Sequence, residues 1–311
     1  MTTVQDPRSD AAPTGEDRPT FEVRNPGTGD LVGTWPVQSE AEVEETVARA
    51  RLAAEWWAKI GYAERRKRLD AFRGVIARRI HQLAHLVHDE MGKPHSDAFL
   101  EVALVLDHLA WAGKHAPKVL GQERRSTGLI NANLKATVEH HPLGVVGVIG
   151  PWNYPVFTPM GSIVYALAGG NAVVFKPSEF TPGVGAWLVA AFAEVVPEHP
   201  VLQLVTGDGS TGAALCRAGV DKVAFTGSTA TAKRVMATCA ETLTPLVAEC
   251  GGKDALIVDR DADLAAAADG AVWGGIANAG QTCIGVERIY VHQDVAAELA
   301  RLLVERFDDL R

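Results

Sequence analysis

A chain of 311 residues has room for roughly two domains, and its 47% hydrophobic content is ample for a sizeable core. A formal net charge of −8 argues against a nucleic-acid partner, because no basic surplus is available to neutralise phosphates. The charged fraction, 22%, is that of an ordinary soluble protein.

Residues 1–20 are polar and Pro-containing, without the apolar core of a signal peptide, and read as a mobile tail. From Phe21 to Val37, short extended runs flank the turn-rich NPGTGD. Ser39 and Glu42 form a capping box that opens a helix running to about Ala58. Leu69, Phe72, Ile76, Ile80, Leu83 and Val87 then recur every three or four residues, which predicts one helix ended by Gly92 and Pro94. The basic run ERRKR (64–68) belongs to its solvated face. A third helix is expected over about 96–116.

From Leu143 the pattern changes. GVVGVIG, NAVVFKP, VLQLVTG and KVAFTG alternate with helical stretches, as in a parallel sheet covered on both faces. Ligands bind beyond the carboxyl ends of such strands. PWNYP, KPSE, VTGDG and FTGS each follow a strand, so they are expected to converge on one rim. Past ECGGK come a strand at 254–259, a helix through Ala277, the loop NAGQTC, the strand ERIYVH and a helix from Asp294. This last stretch reads as the opening of a second domain. No uninterrupted apolar run is long enough to cross a bilayer.

Taken singly, the polar segments are ambiguous. No G-x-G-x-x-G follows the first apolar strand, and GDGSTG (207–212) is a weak phosphate-loop signal. FTGS puts Gly227 and Ser228 at a helix start, where a pyrophosphate could sit. Cys216, Cys239 and Cys250 read as small buried hydrophobes, whereas Cys283 lies in a loop where a thiol is accessible. With no C-x-x-C spacing, neither zinc nor a disulfide framework is indicated, and the plain reading is a reducing, cytoplasmic compartment. His140 and His141 read as strand residues facing opposite ways, not metal ligands.

In order, PWNYP, KPSE, FTGS, E-x-GGK and GQTC resemble the aldehyde dehydrogenase superfamily, from about Phe21 to Arg311. The resemblance implies an α/β fold: a Rossmann-like parallel-sheet cofactor domain with a helical N-terminal section, followed by the start of a second, truncated catalytic domain. Its divisions would be an NAD(P)-binding domain at 21–121 and 142–251, an oligomerisation arm at 122–141, and an incomplete catalytic domain at 252–311. Cys283 would be the nucleophile, Asn153 an oxyanion donor and Glu249 the base that activates water. Lys176 and Glu179 would hold the adenosine ribose, Gly227 and Ser228 the pyrophosphate, and Trp152 would lie by the nicotinamide. Glu179 favours NAD, with NADP possible. The implied partner is a small aldehyde, in an enzyme that is a homo-oligomer when intact, with neither membrane nor nucleic acid involved.

Two departures stand out. Cys250 replaces a common leucine, and the chain stops well short of the family's usual length, without its E-x-F-G-P segment or C-terminal strand. The expectation is therefore a fragment of a longer enzyme. The alternative is an inactive dinucleotide-binding remnant or assembly partner. A coenzyme A-dependent acylating enzyme is a weaker third reading, disfavoured by Glu249.

Overall fold

The computed structural model describes residues 18–310. Most of the expected tail therefore lies outside the described residues. Strands β1 (Thr20–Arg24) and β2 (Leu31–Pro36) pair antiparallel around the NPGTGD turn. Helix α1 (Glu40–Lys59) opens on the expected capping box: Ser39 Oγ accepts from Glu42 N, and Glu42 Oε2 accepts from Ser39 N at 2.7 Å. Buried Trp57 anchors the far end of α1 by donating Nε1 to Leu167 O at 2.8 Å.

The single helix expected next is two, α2 (Gly61–Arg78) and α3 (Ile80–Met91). The chain breaks at Arg79, whose backbone leaves the helical region (φ −114°, ψ 21°). Its guanidinium reaches Glu194 at 2.6 Å, and the apolar stripe stays in phase across the break. Helix α3 ends at Gly92 in the left-handed conformation, with Pro26 packed where a Cβ would be. Helix α4 (His95–Leu120) follows, longer than expected at both ends, and packs on α2, α3 and α5 (Phe157–Ala168).

Strands β3 (Glu123–Arg125) and β4 (Ala136–Val138) form a separate antiparallel pair. Here the reading of the histidines is corrected: β4 ends at Val138, so His140 and His141 belong to no strand. The connection to β5 needs no further ladder bonds there, and both side chains are exposed.

The central sheet is parallel, with order β7-β6-β5-β8-β9. Its strands are β5 (Val145–Ile149), β6 (Ala172–Lys176), β7 (Leu202–Leu204), β8 (Lys222–Gly227) and β9 (Leu246–Cys250). The last of these escaped the pattern reading, because its short apolar run, Leu246–Ala248, is flanked by Pro245 and Glu249; it is an edge strand with three of its five residues exposed. Every residue of β5 and β6 is buried, which explains their continuous apolar runs. Helices α6 (Pro182–Ala193), α7 (Gly209–Arg217) and α8 (Thr229–Glu241) connect the later strands. The chain winds outward from β5 through β6 to β7, then returns to lay β8 on the other side of β5. The order therefore reverses between β5 and β8, where a crevice opens beyond the strand ends.

A smaller unit follows. β10 (Asp254–Val258) and β11 (Val286–Val291) pair in parallel under α9 (Leu264–Ile276) and α10 (Ala296–Asp308). Its own core is Val258, Ala268 and Leu299. Among the described residues, no helix is long and apolar enough to cross a membrane.

Candidate active site

A cavity of about 710 Å³ fills the crevice between β5 and β8. The four strand-end segments do converge on it: Trp152 and Asn153 after β5, Lys176, Ser178 and Glu179 after β6, Asp208 and Gly209 after β7, and Gly227 and Ser228 after β8. Gln281, Thr282 and Cys283 line the same cavity from the loop before β11.

Local chemistry assigns the polar ends. Ser228 caps α8, accepting from Thr231 N at 3.2 Å, so the first-turn amides of that helix open on the cavity. Unpaired amides and the helix dipole there favour an anion. Gly227 must lack a side chain, since a Cβ would come within 2.7 Å of the Phe225 ring. The neighbouring α7 terminus is closed to a phosphate, because the Asp208 carboxylate already caps Ser210 N. Hydrogen bonds from the Ser210 side chain and backbone hold that carboxyl below its usual range, so it stays charged.

Lys176 is buried and donates Nζ to Pro177 O at 3.0 Å. Burial pulls its pKa down, while Glu179 and Asp208 oppose that shift. A cation beside a half-buried carboxylate suits a ribose diol. Between α7 and α8, Gly212, Ala213, Cys216 and Val235 form a small-residue slot that suits a flat ring. Phosphate, diol and ring positions thus occur together, and the residues fit a dinucleotide.

At the other end of the cavity, the Cys283 thiol is exposed, whereas Cys216 and Cys239 are buried as expected and Cys250 is half-buried. Burial pushes the Cys216 thiol up to about 12, leaving it inert. Asn153 Nδ2 donates to Gln281 O at 2.8 Å, tying the segment after β5 to the cysteine loop. Tyr154 and Thr282 share a hydroxyl hydrogen bond of 3.0 Å along the same seam. The ECGGK segment is joined to the loop as well, with Gly252 N donating to Cys283 O at 3.1 Å. Glu249 stands apart from these groups. It is paired with Thr226, which lines the cavity, but its own carboxylate is exposed and contributes nothing to the wall.

Sequence reasoning missed the layer beneath. Lys93 and Glu101, both fully buried, form an ion pair, and Lys93 Nζ also donates to Asn153 O at 2.8 Å. Burial lowers the lysine pKa and the adjacent Glu101 opposes the shift. The other Glu101 oxygen accepts from Val156 N and Phe157 N at 2.7 and 2.9 Å, capping α5. The only hint was a lysine between a helix-stopping glycine and a proline, a position that normally faces solvent.

Comparison with known proteins agrees with this architecture. Residues 14–311 match the aldehyde dehydrogenase family. The chain belongs to that family. It is 37% identical to a 4,4'-diapolycopene aldehyde oxidase of Methylomonas over 94% of this chain and 56% of that protein. It is 36% identical to a putative NADP(+) succinate-semialdehyde dehydrogenase of Mycolicibacterium smegmatis, over 91% of this chain and 55% of that one. An aldehyde dehydrogenase crystal structure from Brucella melitensis biovar abortus superposes with a TM-score of 0.93 at 31% identity, covering 100% of this chain and 66% of that one. PnpE in complex with nicotinamide adenine dinucleotide superposes at 0.90 with 33% identity, over 94% of this chain and 60% of its own. The chain thus spans little more than half the length of these curated relatives.

Proposed function

We propose that this chain carries the cofactor site and nucleophile of an NAD(P)-dependent aldehyde dehydrogenase that oxidises an aldehyde to a carboxylic acid. The observation that carries this reading is one cavity holding both an accessible thiol and a dinucleotide-shaped set of groups. Cys283 and Asn153 line it together with the α8 N-terminus, Lys176 and Glu179.

In this reading Cys283 Sγ attacks the aldehyde carbon and the carbonyl electron pair moves to oxygen. The Asn153 amide uses one N–H on Gln281 O, and its second N–H has no protein acceptor among the described residues. That donor and the Cys283 backbone N–H are assigned to the oxyanion. When bound, the dinucleotide supplies the hydride acceptor. Loss of hydride from the tetrahedral carbon leaves a thioester on Cys283. Glu249 takes a proton from water as that water attacks, the C–S bond breaks, and the acid departs. The Glu249 carboxylate lies outside the cavity wall, so its role requires the side chain to turn toward the cavity. Glu179 at the ribose position favours NAD, and NADP is accepted less well.

The test is formation of reduced nicotinamide by the 311-residue chain with aliphatic and aromatic aldehydes. Turnover that disappears in Cys283→Ala, with cofactor binding retained, is the expected result. Retained turnover in that variant would sink the assignment. A second reading, a cofactor-binding part that works only within a larger assembly, is favoured by the exposed Ile257, Trp273 and Ile284. It predicts thermal stabilisation by NAD without turnover in the isolated chain.

A further inference from the structure

The residues between α9 and Cys283 are built at odds with ordinary backbone preference. Asn278, Ala279 and Gly280 are consecutive and all left-handed, with φ of 61°, 56° and 73°. Only the third is glycine, and a left-handed alanine is a rare conformation. Asn278 is 2% exposed, and neither its Oδ1 nor the buried Oε1 of Gln281 finds a partner among the described residues. Strain and orphaned acceptors together call for a compensating role.

The compensation is visible in what Asn278 joins. Its Nδ2 donates to Asn153 O at 3.0 Å and to Gln281 O at 3.1 Å. Its backbone N donates to Asp97 Oδ2 at 2.8 Å, in the first turn of α4. Asn153 O also accepts from Lys93 Nζ, itself paired with Glu101, and Gln281 O also accepts from the Asn153 side chain. One buried amide therefore grips both the residue that carries the oxyanion donor and the loop that carries the thiol. Flipping that amide would lose both bonds and set Oδ1 against two carbonyl oxygens.

We infer that Asn278 is a positioning residue, a clamp backed by Lys93 that sets the Asn153 amide against Cys283. The inference rests on the function proposed above. A turn needing only left-handed backbone would be made better by glycine. The asparagine is there for its two N–H groups.

Reversible thiohemiacetal formation tests the clamp without turnover or cofactor. The Cys283 sulfur bonds to the aldehyde carbon, the carbonyl oxygen takes a proton, and nothing is oxidised. Propanal and benzaldehyde should protect Cys283 from iodoacetamide, with labelling at Cys283 read by peptide mass spectrometry. Asn278→Gly suits the observed φ, so relief of backbone strain offsets part of the lost bonds; the thermal midpoint should fall slightly and the unprotected alkylation rate should stay unchanged. Aldehyde protection should weaken by about tenfold, a fraction of what an oxyanion donor contributes. Asn278→Asp, nearly isosteric but unable to donate, should show the same loss and serves if the glycine variant fails to fold. Adding Asn278→Gly to Asn153→Ala should produce no further weakening, because one residue acts through the other. Full protection in both Asn278 variants, with loss in Asn153→Ala, would overturn the clamp and leave the proposed function standing. Multiplicative losses in the double variant would overturn it too. Aldehydes that fail to protect even the unaltered chain would overturn the role of Cys283, and the clamp with it.

Discussion

The five-stranded sheet and the β10–β11 pair are both parallel strands covered by helices, yet they bury their residues to very different depths. β5 and β6 are closed on both faces, and a single continuous core extends from Val43 to Cys239. Around β10 and β11 the packed cluster is only Val258, Ala268 and Leu299, with Ala271 and Val272 also buried on α9, while Ile257 and Trp273 are 77% and 73% exposed. The cofactor-shaped part of the cavity stands on the first region. The thiol belongs in sequence to the second, but the loop that carries it is bonded to the first through Asn153 and Asp97. Local order at Cys283 therefore does not depend on how well the smaller unit is packed.

The sharpest way to break this comparison is to damage the large core. Phe175, in β6, is fully buried. Phe175→Ala should cost about 3–5 kcal/mol through lost burial and the cavity left behind. Denaturant unfolding, followed at far-UV wavelengths, measures it. A loss close to that of a surface substitution would mean that the core is looser than the packing indicates.

Next in size is a pH effect from the same region. Glu90 is buried and accepts from Gly183 N and Val184 N at the start of α6. Burial, only partly offset by those two bonds, raises its pKa to about 7. The folded state therefore holds this proton more tightly than the unfolded chain, whose value is near 4.5. Its contribution is complete below pH 4.5 and is lost as pH rises through about 7. The loss amounts to roughly 3 kcal/mol at most. Thermal midpoints across that window should fall in the unaltered chain and flatten in Glu90→Gln. Parallel curves would assign the dependence to other groups.

Arg65 should follow. Contrary to the expected solvated face of ERRKR, this guanidinium is buried and donates to Ala168 O, and to Trp57 O and Ala58 O, at the carboxyl ends of α5 and α1. It satisfies final-turn carbonyls and opposes two helix dipoles at once. Arg65→Leu strands those acceptors and should cost about 1–3 kcal/mol by chemical denaturation.

Particular residues show how far the sequence could be read. The capping box at Ser39 and the convergence of the loops after β5, β6, β7 and β8 follow from local chemistry and from where parallel strands end. The break at Arg79 does not, because the apolar spacing is unchanged across it and its bond to Glu194 joins positions far apart in sequence. Strand β9 is hidden for another reason: its short apolar run, Leu246–Ala248, follows a proline and is cut off at once by Glu249 and the glycine pair, so it reads as loop. Within the site, the thiol and amide could be named from motifs. Lys93 and Asn278 could not, since an isolated lysine or asparagine takes its meaning from the partners that tertiary packing brings to it.

The smallest expected effect sharpens the contrast from the other side. Ile257 lies on β10 with its side chain in solvent, so Ile257→Ser removes almost no buried area. Stability should change by no more than about 0.5 kcal/mol. Hydrogen exchange carries more information here than a midpoint does. Amides of β10 and β11 should exchange through local opening well before those of β5 and β6, in the unaltered chain as in the variant. Equal protection in both sheets would show that the smaller unit unfolds only with the larger one. The bonds through Asn153 and Asp97 would then couple the two regions more strongly than the three-residue core around Val258 can explain.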